Sequence, residues 1–151
     1  MDIQAIHTAI AGVVNTAALQ GTTLQVTATD FMPLLPEVPH FYPFNWRITY
    51  DRTYGGGGQG GMAELVTTWH LVVSNSNDES AYQEATRLAG TGESTIRAAL
   101  IAARGAPGVD ALDGAGGCED LRPTGASGPT SVDVGDLHLL VVEVPIWVVG
   151  H

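Results

Sequence analysis

The chain contains no lysine. Its basic residues are six arginines, against sixteen aspartates and glutamates in 151 residues, for a formal charge of -10 and a pI near 4.6. Without lysine there is no phosphate-loop lysine, no Schiff-base amine and no S-x-x-K nucleophile. So few cations argue against neutralising nucleic-acid phosphates or anionic membranes. A single cysteine, Cys118, leaves no internal disulfide and reads as a buried or idle thiol. The chain also lacks a long apolar run. Its first nineteen residues, MDIQAIHTAIAGVVNTAAL, start acidic and are interrupted by Gln4, His7 and Asn15, unlike a signal peptide or a membrane span. What remains is 44% hydrophobic and 15% charged, the composition of a globular chain. At this length folding hides roughly 70% of the surface, so one domain over residues 1–151 is expected.

Apolar residues at Ile3, Ile6, Ile10, Val13 and Ala17 predict an amphipathic first helix, capped by Asp2 and followed by Gly21. A short strand is expected at 23–27. The proline-rich segment 33–43 (PLLPEVPHFYP) is expected to run extended over the surface, without a regular element. Phe44, Trp46, Ile48 and Tyr50 then alternate with Asn45, Arg47 and Thr49, and a second strand mirrors them at Leu65, Thr67, Trp69, Leu71 and Val73. Between the two lies TYGGGGQGGM (53–62), the mobile tip of a long hairpin.

Ser76 to Glu79 in a capping-box pattern precede a second helix with Ala81, Ala85 and Leu88 inward and Gly90 at its close. A third begins near Ser94 and buries Ile96, Ala99, Leu100 and Ala103, and a loop over 105–117 follows it. Extended segments are expected at 118–124 and 131–149, the latter folding back at Gly135-Asp136. In the last segment Leu140, Val142, Val144, Ile146 and Val148 share one face. Pro145 on the other suggests an edge strand or a bulge. The order predicts an α+β domain: an antiparallel sheet with a long hairpin, flanked on one face by two to three helices.

No assembled chemistry emerges from the motifs. Gly55, Gly57 and Gly60 match G-x-G-x-x-G, but between two strands rather than before a helix. The histidines at 7, 40, 70, 138 and 151 have no metal-ligand spacing, and structural roles suit His7 and His70. Asp110, Asp113, Glu119 and Asp120 lack the order of a calcium loop and read as a solvated acidic patch. Ser127 is not in a nucleophile elbow. No catalytic residue, cofactor or metal is therefore expected. The unusual features are the long hairpin, the proline-rich arm and the exposed-looking aromatics Tyr42, Tyr54 and Trp147. Such extensions are common in subunits that complete themselves on neighbours.

MDIQAI at the opening helix, ITYDRT at 48–53 before a long loop, WHLVVS at 69–74 before a cap and helix, GESTIRAAL at 92–100, CEDLR at 118–122 and a last apolar strand at 139–149 form a familiar succession. In order and spacing it resembles the tail terminator proteins of long-tailed phages of high-GC actinobacteria, across nearly the whole chain. The arm at 33–43 and the GGGGQGG tip are longer or richer in glycine than the family pattern.

The resemblance implies a virion subunit that forms a ring, a hexamer, on the head-proximal end of the tail tube. Such a ring stops tube polymerisation and joins the neck. Its partners would be further copies of itself, the tube protein and a neck connector or stopper, with genomic DNA passing through unbound and no membrane involved. On that footing the hairpin 47–65 is expected at the ring or tube interface, with Arg47, Arg52, Tyr54, Gly56, Gly57, Gly58, Gln59 and Trp147 as contact candidates. Asp110, Asp113, Glu119 and Asp120 are candidates for a lumen-facing surface that repels DNA. The alternatives are a head-tail connector or stopper of the neck and, more distantly, a small non-catalytic binding module.

Overall fold

The structure is a computed structural model that describes residues 1–21, 24–50, 61–74 and 78–151. Among the described residues three α-helices, α1 (Ile3–Ala17), α2 (Asp78–Leu88) and α3 (Ile96–Ala102), and a 3-10 segment at Ala111–Gly117, within the expected loop, accompany six strands. The strands are β1 (Thr27–Ala28), β2 (His40–Thr49), β3 (Ala63–Ser74), β4 (Cys118–Pro123), β5 (Ser127–Val134) and β6 (Leu137–Gly150). They make one sheet in the order β1-β2-β3-β6-β4, with β5 also paired to β6. This is the expected α+β architecture, with helices on one face. The sheet is mixed in one respect: β1 runs parallel to β2, and every other pair is antiparallel.

Local chemistry accounts for most of the elements. The Asp2 carboxylate accepts from the Ala5 N–H at 3.1 Å and caps α1. The helix ends at Ala18, which takes a left-handed conformation with φ 51°, three residues before the expected Gly21. Its buried face is Ile6, His7, Ile10, Ala11 and Val14, turned slightly from the face the sequence suggested. Thr95 caps α3 by accepting from the Ala98 N–H, and Ile96 and Leu100 point inward. Ala81, Ala85 and Leu88 of α2 are buried as expected, whereas the first residues of the capping pattern, like the hairpin tip at 51–60, lie outside the described residues.

The core lies between helices and sheet. Trp69 stacks on Phe41 at 4.8 Å between ring centroids, and the Leu65, Leu71, Leu121, Ile146 and Val148 side chains are fully buried beside them. His7 of α1 meets Thr67 of β3 at 3.0 Å inside this core and packs edge-on against Trp69. A second anchor is Asn15, whose amide both donates to the Ala28 carbonyl and accepts from the Ala28 N–H. It supplies β1 with the ladder partner that so short a strand lacks.

Three expectations need correction. The strand predicted at 23–27 begins only at Thr27 in the described residues. The segment 33–43 is not irregular throughout: His40, Phe41, Tyr42 and Pro43 open β2 and are buried, so Tyr42 is not an exposed aromatic. And β6 is no edge strand, because β3 flanks it on one side and β4 and β5 on the other. Pro145 is tolerated because its carbonyl faces Thr124, in the gap where β4 ends and β5 has not begun. A missing N–H breaks no ladder there.

Candidate assembly surface

Strand alternation gives the sheet two different faces. Leu140, Val142, Val144, Ile146 and Val148 of β6 lie under the helices, while Leu139, Val141, Glu143, Pro145, Trp147 and Val149 point the other way. No described helix covers that second face. Cross-strand register lines its side chains up in rows. One row runs Arg47, Val66, Trp147, Arg122 across β2, β3, β6 and β4. The Arg122 guanidinium lies 5.6 Å from the centre of the Trp147 ring, within cation–π range. Arg47 and Trp147, two candidates chosen from sequence, thus share one row about 10 Å apart, two strand spacings.

A second row is aromatic. A bulge between Pro43 and Asn45 adds one residue to β2, and this turns Phe44 onto the uncovered face. There it stacks on His70 at 4.1 Å, and Tyr42 makes an edge contact with the same imidazole at 5.8 Å. Beneath these rings Val72 and Leu139 form a small satellite core with Tyr42. A groove of 380 Å3 opens above it, walled by Phe44, His70, Val132, Val134 and Val141, with Met32 at the rim. Burial lowers the His70 pKa and the nearby Glu143 carboxylate opposes the shift, so the imidazole is mostly neutral near pH 7.

The bulge also explains why the alternation read from 44–50 misled. Trp46 and Ile48 do face the helices, opposite Thr67 and Leu65, but Trp46 stands at the sheet edge and is 54% exposed. Phe44 and Tyr50 are exposed as well. Sequence reasoning singled out the proline-rich arm but named none of its exposed apolar residues, nor Phe31 and Met32 before it. Phe31, Met32, Leu34 and Leu35 occupy the loop between β1 and β2 at 60, 60, 95 and 71% exposure. The available signal was four large apolar residues interrupted by prolines, in neither helical nor strand period. Such residues have no regular face to bury. The loop is firmly rooted: Thr27 N–H donates to the Pro39 carbonyl, Thr29 N–H to Phe41, and Asp30 accepts from Gln4 and Thr8 of α1.

The remaining candidates fall as follows. Arg52, Tyr54, Gly56, Gly57, Gly58 and Gln59 lie outside the described residues. Asp110 and Asp113 are exposed. Glu119 pairs with His151, and Asp120 with both Arg104 and Arg122, so two of the four acids already have cationic or titratable partners within the chain. Burial alone would raise the Asp120 carboxyl, but hydrogen bonds from Arg104, Arg122 and the Leu121 N–H outweigh it and hold the group below its ordinary value.

The Cys118 thiol is pushed up to about 11, first by burial and then by Asp120, Asp110 and Glu119, so it carries almost no thiolate at neutral pH. His7 and His40 are lowered by burial, opposed by Asp30 and Glu37 respectively. Among the described residues no three His, Cys, Asp or Glu side chains are gathered as a metal would need. None of the described helices is long and apolar enough to cross a membrane. In comparisons with known proteins, no family model and no curated protein matches the chain.

Proposed function

We propose that this chain is a non-catalytic virion subunit, a tail terminator that forms a ring on the head-proximal end of a phage tail tube and offers the neck its joining surface. The resemblance in the order of its segments suggests the family. One structural observation supports an assembly role: large apolar side chains stand exposed both on the uncovered sheet face and in the loop before β2, whose Met32 reaches the rim of the groove. Single scattered apolar residues are ordinary on a surface, whereas contiguous ones mark interaction sites. Two unlike patches are what a head-to-tail contact uses, and repeating that contact around an axis closes a ring.

In this reading Arg47 and Trp147 lie at a contact surface, and the hairpin residues Arg52, Tyr54, Gly56, Gly57, Gly58 and Gln59 reach the tube or a neighbouring subunit. Of the acids, Asp110 and Asp113 remain the better lumen candidates, because Glu119 and Asp120 are paired. Electron microscopy of particles made without the gene tests the proposal. Overlong or ragged tails beside unattached filled heads are expected. Tails of normal length with emptied heads would assign the chain to a connector or stopper, and normal virions would discard both roles.

A further inference from the structure

From the two apolar features together we infer that the groove on the uncovered sheet face receives the loop 31–35 of a second copy of this chain. The inference specifies the subunit contact of the ring and rests on the ring reading only for closure. The contact itself is a property of the purified protein.

Three observations select this occupant. The loop tip FMPLLP (31–36) carries no charge, and Pro33 and Pro36 restrict its backbone, which reduces the entropy lost on docking. The groove is also poor in charge: among the described residues its lining holds one carboxylate, Glu143, beside the Tyr42 phenol and the His70 imidazole, the latter largely neutral. In a chain of charge -10, a contact between copies is least opposed where both surfaces are uncharged. The loop's own groove is a poor home for its leucines, because both ends of the loop are pinned and only Met32 touches the rim.

Area gives the third argument. At roughly 150–200 Å2 for each fully exposed large side chain, the four loop residues present on the order of 500 Å2. Burying that area against the groove and the uncovered sheet face around it removes about 1,000 Å2 in all, the lower bound of a specific interface. The groove volume of 380 Å3 is at the small end of the ~300–1,000 Å3 range of binding pockets. It suits a few side chains rather than a whole domain.

Sedimentation of the purified full chain over a concentration series tests the contact. Compared with it are a loop variant, Leu34→Ser with Leu35→Ser, and a groove variant, Val132→Glu. All these positions are solvent-exposed in the monomer, so at concentrations too low for association both variants should keep the wild-type urea midpoint. Wild type should self-associate, more tightly as salt screens its charge. Each variant alone should weaken association at least tenfold. Mixing the two should restore a one-to-one complex, since the groove of the first and the loop of the second are intact. A wild type that stays monomeric at millimolar concentration would overturn the proposal and leave the groove to another protein. Association unchanged in the loop variant would also overturn it, as would a lowered urea midpoint there, which would mean that the loop covers its own groove. None of these results depends on a phage tail, so the contact and the terminator role fail separately.

Discussion

Ile146→Ala and Trp147→Ser alter adjacent residues of β6, yet they should behave as changes to different kinds of protein. Ile146 is fully buried under the helices, opposite Thr67. Truncating it removes transfer energy and leaves a partly relaxed cavity, a loss of about 3 kcal/mol within the usual 2–5. At 2–4 °C per kcal/mol for a chain of this length, the melting temperature should fall by about 6–12 °C. Trp147 is half-buried on the uncovered face, held by the Arg122 guanidinium and cross-strand Val66. Those contacts are worth roughly 0.5–1 and 0.2–1 kcal/mol, so the folded chain should lose only about 1–2 kcal/mol. Urea titration followed by circular dichroism separates the two. If Trp147→Ser costs as much as Ile146→Ala, the face is part of a closed core and its reading as an assembly surface is wrong. If the energies separate, Trp147→Ser should fold and yet fail to complement a phage lacking the gene.

Further outcomes follow from individual contacts. Asp120 has a depressed folded pKa, so its stabilisation is present above the ordinary carboxylate value near 3.9 and lost as pH falls through the folded one. The urea midpoints of wild type and Asp120→Asn should therefore differ more at pH 7 than at pH 3; an equal gap at both would refute the pairing. The lowered pKa values of His7, His40 and His70 have the same sign: protons favour the unfolded chain, so stability should drop on acidification below about 6.5. Imidazole NMR titration should place all three below that value. At Gly117, with φ 78°, an added Cβ would collide with the His151 carbonyl. Gly117→Ala should cost more than about 2 kcal/mol by thermal melting, from the left-handed backbone and the clash together. Charge reversal at Asp110 and Asp113 should slow DNA ejection if they face the lumen, and unchanged kinetics would remove them from it.

Much of this fold is legible in the sequence itself. Periodicity placed α1, α2 and α3, the β2–β3 hairpin and the turn at Gly135-Asp136, because each is a local pattern of apolar spacing and capping. The same alternation put the inward face of β6 at Leu140 to Val148 in even steps. Arg47 and Trp147 were also chosen from sequence, although nothing local said that register would place them in one row.

Tertiary structure decided what local pattern does not encode. A single extra residue at Phe44 reverses which side of β2 faces the helices, so an apparently uniform apolar face was divided between two surfaces. Tyr42 is buried by Val72 and Leu139, distant in sequence, and Trp46 is exposed because it stands at the sheet edge. Pro145 lies in a central strand because its partner changes at that point, a fact about β4 and β5 rather than about β6. Asp120 left the acidic patch because Arg104 and Arg122, sixteen and two positions away, converge on it. Hydrophobicity and spacing determined which segments fold; the packing of helices on only one face of the sheet determined which of its apolar residues were left uncovered.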